Sequence, residues 1–506
     1  EYAREMAAME QYLAGDDKLL QTIAFVRNYY VDPIQLDTIY EKAIPALLSE
    51  LDPHSEYIPA KMFSEVNESL EGEFDGIGIV FNASTDTITV LSVIPKGPSS
   101  EAGVRPGDRI VKIDGRVVAG QKIPQDSMVR LMRGKRGTRV MLGVKRAALN
   151  ELVDIEVTRA PIEIHSIETS FMLDSEAKIG FVRLSQFART SYSEMHSAIE
   201  RLNAEGMRGL IIDLRGNGGG FLDQAILIAN DLLPDNKLIV YTEDREGRQQ
   251  RQYSKSGSFP ELEVVVLVDE LSASSSEILA GAIQDNDRGL VIGRRTFGKG
   301  LVQQQIPFAD GSAVRLTVAR YYTPSGRSIQ KPYRMGEGED YAMDLINRFE
   351  HGEFYSADSV QIADSTVYYT KKGRIVRGGG GIMPDVFVGR DTTLNTPYFN
   401  IVVNRAYTYQ FAYQYTDRHR KELSQYKDWE SLEKHLLKAN WVPEFVAFAK
   451  EKGVEPNAEQ LAKSKPLLVR LVNAYIVRNI LNDEGFFPLF ERDDDITQKA
   501  VEVILN

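Results

Sequence analysis

Cysteine is absent from the chain, so disulfides, thiolate nucleophiles and thiol-ligated metals are excluded, and the composition suits an oxidising compartment as well as a reducing one. No apolar run reaches the roughly 18 residues that a membrane-spanning helix needs; the greasiest stretch, Leu467 to Leu481, is broken by Arg470, Asn473 and Arg478. Positive charge is in deficit. A formal net charge of -12 argues against nucleic acid or an anionic membrane as the main partner, because both would repel the chain at long range. Histidine is scarce: the six stand at 54, 165, 196, 351, 419 and 435, outside every glycine-rich or serine-rich loop of interest below. The first residue is Glu1 rather than methionine, as in a mature form or a truncated piece.

What is present is ordinary globular material, 506 residues with 43% hydrophobic and 26% charged, enough for about two to four domains. Residues 1–70 carry apolar positions at helical spacing (Leu20, Ile23, Val26, Tyr30, then Leu36, Ile39, Ala43, Leu47) and read as a helical region ending at "LDPHSEYIP". From 71 to 161 the texture turns to short β-branched runs between glycine turns with one helix, "PQDSMVRLMRG", a mostly β module. Residues 162–396 alternate strand and helix patterns. "ELEVVVLVDE" in particular is a continuous apolar strand of the kind buried on both faces of a parallel sheet. Within that region 331–377 is tyrosine-rich and reads as an irregular insert. From 397 to 506 the pattern is helical again.

In a parallel α/β sheet the loop after each strand leaves at the same carboxyl edge. That edge should therefore collect "RGNGGG" (Arg215 to Gly220), "LSASSSE" (Leu271 to Glu277) and "RRTFGKG" (Arg294 to Gly300). Ser274 stands at the start of a helix, where free N–H groups and the positive dipole end favour a developing anion. A serine three residues before Glu277 equally makes a capping box, and Ser272, Ser275 and Ser276 compete for the same post. A serine nucleophile needs a base, and with no histidine in these loops Lys299 is the candidate, 25 residues beyond Ser274. To act so, its amine must titrate about 3 pH units below its ordinary value, roughly 4 kcal/mol of differential stabilisation, which burial can supply. Phe297, Gly298, Gly300 and Leu301 offer close backbone and apolar surroundings without an acid in the immediate stretch; an exposed turn lysine fits the same letters. Gln303, four residues on, either orients that amine or sits on a half-exposed strand among other glutamines. "RGNGGG" supplies bare amides for an oxyanion and lacks the spacing of a phosphate or dinucleotide loop.

In the β module, Gly76, Ile77, Gly78 and Ile79 can form a nest for a terminal carboxylate beside a strand edge open to β-augmentation. Met128, Leu131 and Met132 on the helix would supply a pocket wall for an apolar terminal side chain. The glycines also serve as plain turn formers.

At this point the sequence resembles a known family. "FDGIGIVF" followed by "VIPKGPSSEAGVRPGDRIVKIDG" resembles a PDZ domain. "LIIDLRGNGGG", "LVDELSASSSEILAGAIQDNDRGLVIGRRTFGKGLVQ" and "ARYYTPSGRSIQ…GGIMPDV" resemble the carboxyl-terminal processing peptidases, or tail-specific proteases, across about residues 45–390. The resemblance implies a multidomain α/β fold, with a crotonase/ClpP-like protease core, an inserted mostly-β PDZ domain and helical N- and C-terminal regions. It implies a serine endopeptidase in which Ser274 is the nucleophile, chosen among the four serines by the family's distance to lysine, Lys299 the base and Gln303 the orienting residue. Backbone N–H groups of Ser275 and of Gly219 or Gly220 would form the oxyanion hole. It further implies no cofactor or obligatory metal, protein or peptide substrates with apolar C-termini, no nucleic acid, a homo-oligomer through the helical terminal regions, and a bacterial envelope location on the periplasmic side. The family commonly reads S-A-S-A-S-E where this chain has S-A-S-S-S-E, and the insert 331–377 and the tail after 397 have no counterpart in its minimal form. Two rivals remain from other classes: a catalytically idle PDZ-containing binding protein, and a crotonase-like acyl-CoA enzyme.

Overall fold

The computed structural model describes residues 17–82, 87–94, 96–146, 149, 151–361, 364 and 366–506. Residues 1–16 of the expected N-terminal helical region lie outside the described residues. The chain divides into two compact units, one of residues 1–64, 303–318 and 333–343, the other of 65–302, 319–332 and 344–506. No helix among the described residues is long and apolar enough to cross a membrane.

The first unit holds helices Lys18–Tyr29 and Leu36–Ser49 and a short strand, Glu56–Ile58, paired antiparallel with residues 313–315. Asp17 caps the first helix by accepting from the Leu19 and Leu20 N–H groups. The turn "LDPHSEYIP" closes on buried Asp52, which accepts from the N–H groups of His54 and Ser55 and the hydroxyls of Ser55 and Thr317.

In the second unit, residues 79–158 form an antiparallel sheet of strands Ile79–Asn82, Ile88–Val93, Arg109–Ile113, Arg139–Lys145 and Leu152–Thr158. Alternate residues Ile88, Val90, Ile110, Leu142, Val144 and Val157 point into one core against helix α1 (Gln125–Met132).

The main sheet follows in sequence order: β1 (Ile167–Asp174), β2 (Ile179–Leu184), β3 (Gly209–Asp213), β4 (Glu263–Val268), β5 (Gly289–Gly293) and β6 (Val386–Phe387). β1 is antiparallel to β2 and the rest run parallel. One face carries α2 (Ser191–Ala204), α3 (Leu222–Leu232) and α4 (Ser275–Asp285), where Met195, Ile199, Ile228 and Ile283 pack on Leu210, Ile212, Val264 and Val266. Because strand side chains alternate, Ile211, Val265, Leu267 and Ile292 point to the other face. There they meet Ile496 and Ala500 of α8 (Asp495–Leu505), the last helix of the chain.

The insert is not irregular as expected: it contains α5 (Gly338–Glu350) and a small hairpin, Val367–Tyr369 with Ile375–Arg377. After residue 397 the helices include α6 (Tyr407–Leu423) and α7 (Ala458–Arg492, broken at Asn482), packed around Phe411, Trp441, Phe445, Val472 and Ile476. The turn at Gly107 (φ +99°) docks on α6, where an added Cβ would lie 1.5 Å from the Tyr413 hydroxyl; only glycine permits that approach.

Candidate active site

The loops after β3, β4 and β5 emerge together and are sewn to one another. Gly216 N–H donates to Asp269 Oδ1 at 2.9 Å, and Ala273 N–H to the Asn217 carbonyl at 3.0 Å. Three of the four serines join the seam: Ser272 Oγ donates to the Leu214 carbonyl at 2.8 Å, Ser275 Oγ to the Gly220 carbonyl at 2.9 Å and Ser276 Oγ to the Asn217 carbonyl at 2.9 Å. Ser274 differs from them in backbone as well. At φ 56°, ψ -114° it sits where a side-chain-bearing residue costs of order 1–3 kcal/mol, a strain typical of a hydroxyl held up at a strand-to-helix elbow. Ser274 is half-buried, whereas its three serine neighbours are buried.

Glu277, read from sequence only as a cap partner, organises both loops. Its wholly buried carboxylate accepts from Ser274 N–H (2.9 Å) and Lys299 N–H (2.9 Å) on Oε2, and from Thr296 Oγ1 (2.5 Å) and Gly298 N–H (2.7 Å) on Oε1. Burial pushes this carboxyl upward, and the four donors pull against that. The Tyr321 hydroxyl makes a second bridge, shared between the carbonyls of Lys299 (2.8 Å) and Ser274 (3.1 Å). So Ser274 and Lys299 are held through their backbones by one carboxylate and one phenol. The immediate stretch around Lys299 holds no acid, as expected, but the fold brings Glu277 from 22 residues away to its backbone N–H, with both carboxylate oxygens engaged by uncharged donors.

Lys299 is half-buried on a loop that two glycines let pass closely. A Cβ on Gly298 (φ +91°) would lie 3.0 Å from the Gly381 nitrogen, and one on Gly300 2.9 Å from the Gln330 nitrogen. Arg348 of α5 donates to the carbonyls of Arg295 (2.6 Å) and Thr296 (3.1 Å), while Glu353 takes both Arg348 and Arg295. The insert thus braces the lysine loop. Beside it Lys331 is buried with its amine on Asp344 at 3.1 Å, and burial lowers that lysine from its ordinary value. Gln303 belongs to the first unit, where its side-chain amide donates to the His54 carbonyl.

Among the candidate oxyanion donors, Gly219 N–H is committed to Asn217 Oδ1 at 2.8 Å, which corrects its expected role. Its importance is steric, since a Cβ there would lie 2.7 Å from Ser274 Cβ and 3.0 Å from the Ser275 nitrogen. Ser275 is the first residue of α4, so its N–H precedes the intrahelical ladder, and Gly220 (φ +145°) lies directly against the Phe187 carbonyl.

In the β module, Gly78 (φ +70°) makes the expected turn and its carbonyl accepts from Ile94 N–H, while Gly76 pairs with Ala160 and Ile79 with Val93. Ile77 and Met128, expected at a ligand pocket, are 4% and 1% exposed and belong to the module's core; Met128 and Met132 face inward one helical turn apart, and Leu131 is half-buried. The histidines are engaged elsewhere: His54 with the Tyr341 hydroxyl at 2.8 Å and His196 with Asp231 at 2.5 Å, for instance.

Residues 178–338 match the model of peptidase family S41, residues 76–157 that of the PDZ domain, and residues 398–482 a family of unknown function, DUF8443. A carboxy-terminal-processing protease of Bartonella bacilliformis is 34% identical over 389 residues, 76% of this chain and 85% of that protein. The carboxy-terminal processing protease CtpA of Bacillus subtilis is 33% identical over 331 residues, 64% of this chain and 70% of that one. Among solved structures, a photosystem II D1 C-terminal processing protease matches with a TM-score of 0.40 and 26% identity, over 74% of this chain and 87% of that one.

Proposed function

The chain belongs to peptidase family S41, the carboxy-terminal processing serine peptidases with a PDZ domain, and on that premise we propose that Ser274 is its nucleophile and Lys299 its general base. One observation supports this above others: the Glu277 carboxylate and the Tyr321 hydroxyl each bind the backbone of both residues. In this reading the neutral Lys299 amine takes the Ser274 hydroxyl proton as Oγ attacks the scissile carbonyl. The oxyanion is received by the N–H groups of Ser275 and Gly220, each worth about 10²–10³ in rate. Collapse expels the amine, which takes its proton from the lysine ammonium. Water, deprotonated by the same lysine, then releases the acyl group.

The PDZ module is proposed to hold the free, apolar C-terminus of a protein substrate at the Gly76–Ile79 turn beside Leu131. The division into a helical region 1–70, the module 71–161, the core 162–396 and the helical region 397–506 is kept as the working domain scheme. The relatives reported are bacterial, and a periplasmic location and a homo-oligomer through the terminal helices complete the proposal.

The test is cleavage of an unstructured protein with an apolar C-terminus. Ser274→Ala and Lys299→Met should each abolish it while leaving the unfolding transition in place. Cleavage by Ser274→Ala at the rate of the unsubstituted chain would move the chemistry elsewhere, and its absence from every form, the unsubstituted chain included, would leave a PDZ-bearing binding protein.

A further inference from the structure

Arg215 follows β3 by two residues and opens the glycine loop. Its side chain is 11% exposed and its three guanidinium nitrogens point in three directions, each to an acid. Nε donates to Asp213 Oδ1 at 2.8 Å, Nη2 to Asp213 Oδ2 at 2.9 Å and Glu491 Oε2 at 2.7 Å, and Nη1 to Asp494 Oδ1 at 2.7 Å. Glu491 lies in the last turn of α7 and Asp494 caps α8, accepting from Thr497 N–H at 2.9 Å; the buried Thr497 hydroxyl donates to Glu491 Oε2 at 2.9 Å. Two of the three acids therefore come from a segment almost 280 residues further along the chain.

A buried ion cluster of this kind is weak evidence for stability, because desolvating the charges offsets much of their attraction. The docking of α8 is already provided for by Ile496 and Ala500 against the sheet. What the cluster adds is location: a planar fork bonded on three sides fixes the position of Arg215 in the loop. From there the path to the reacting groups is short. Gly216 is tied to Asp269, Asn217 to Ala273 and Ser276, and Gly220 to the Ser275 hydroxyl.

We propose that Glu491 and Asp494 are positioning residues of the peptidase centre, holding the Gly216–Gly220 loop through Arg215 so that the oxyanion donors stand at the right distance from Ser274. The C-terminal helices are thus a working part of the active site. This inference rests on the reading of Ser274 and Lys299 given above.

The experiment uses the full chain. Glu491→Gln, Asp494→Asn and the charge-conserving Glu491→Asp are compared with the unsubstituted protein and with Ser274→Ala. Readouts are kcat and KM on a fluorogenic peptide, the rate of Ser274 labelling by a fluorophosphonate, and the unfolding midpoint. Displacement of the loop by a fraction of an ångström should lower kcat by about 10-fold in the two neutral variants and about 3-fold in Glu491→Asp, with KM within about 2-fold and labelling slowed in parallel. If the neutral variants do not fold, Glu491→Asp alone carries the test, by the same parallel loss of kcat and labelling. An unchanged kcat with only a lowered midpoint makes the cluster structural and overturns the proposal, as does a loss confined to KM. Undiminished cleavage by Ser274→Ala would instead overturn the underlying reading of the site.

Discussion

Replacing Glu277 by glutamine removes one charge and exchanges one acceptor for a donor without changing volume, so the consequence can be worked through atom by atom. If the new NH₂ took the Oε2 position it would face two backbone N–H groups, Ser274 and Lys299, neither able to accept. On the Oε1 side it meets the Thr296 hydroxyl, which can rotate to accept, and the Gly298 N–H, which cannot. The amide therefore settles with its nitrogen toward Thr296, leaving two buried donors, the Gly298 N–H and the Thr296 hydroxyl hydrogen, without their acceptor at a cost of about 1–3 kcal/mol each. The two bonds on the other side lose their charge assistance, about 1 kcal/mol each. The total, about 4–8 kcal/mol, divides between stability and the placement of Lys299, the neighbour of Gly298. The expected outcome is an unfolding free energy lower by about 3–5 kcal/mol and a kcat about 10- to 100-fold lower, with KM within about 3-fold. Chemical denaturation and peptide-cleavage kinetics on the same preparation measure both. A Glu277→Gln protein with unchanged stability and unchanged kcat would refute the claim that this carboxylate holds the two loops together.

Other predictions follow from single contacts. Gly219→Ala forces a methyl group to within 2.7 Å of Ser274 Cβ at φ +101°, and should lower kcat by about 100-fold or more in the same assay. Ser275→Ala removes only the hydroxyl bond to the Gly220 carbonyl, about 1 kcal/mol, and keeps the backbone N–H; kcat should fall less than about 5-fold, in contrast to Ser274→Ala. The Asp231 carboxylate, chiefly through its hydrogen bond, holds His196 above the ordinary imidazole value. The protonated form is thus favoured on folding. Its contribution is complete below about pH 6.5 and fades as pH rises through the folded value, so the stability gap between the unsubstituted chain and His196→Gln, measured by denaturant titration, should be widest near pH 5.5 and narrow as pH is raised above the ordinary imidazole range.

Much of the core was legible because its signals are local. "VVVLV" admits no amphipathic reading and proved buried on both faces, and the parallel order that gathers the three loops follows from strand, helix and strand alternation. The insert helix was present in the letters, since Met343, Ile346 and Phe349 repeat at helical spacing, but that stripe is exposed while Tyr341 and Arg348 are buried, so the period marks the helix without marking the face that packs. The four serines could not be sorted from their letters, since what separates three of them is a carbonyl 55 to 59 residues away. Likewise the choice between Gly219 and Gly220 turns on where one asparagine side chain points. Glu277 was visible, three residues after Ser274, but its capping signature concealed that its other oxygen reaches the lysine loop.

The placement of α8 sets an order of events during synthesis. β2 to β5 are complete once residue 293 has been made, yet Ile211, Val265, Leu267 and Ile292 keep a bare apolar face until residues 496–500 emerge. A nascent chain therefore carries this apolar surface across some 200 further residues, and Arg215 of the glycine loop gains its partners Glu491 and Asp494 only at the end of that stretch. A ribosome-tethered chain halted before α8 should therefore be inert toward peptide while the same chain carried through α8 is not.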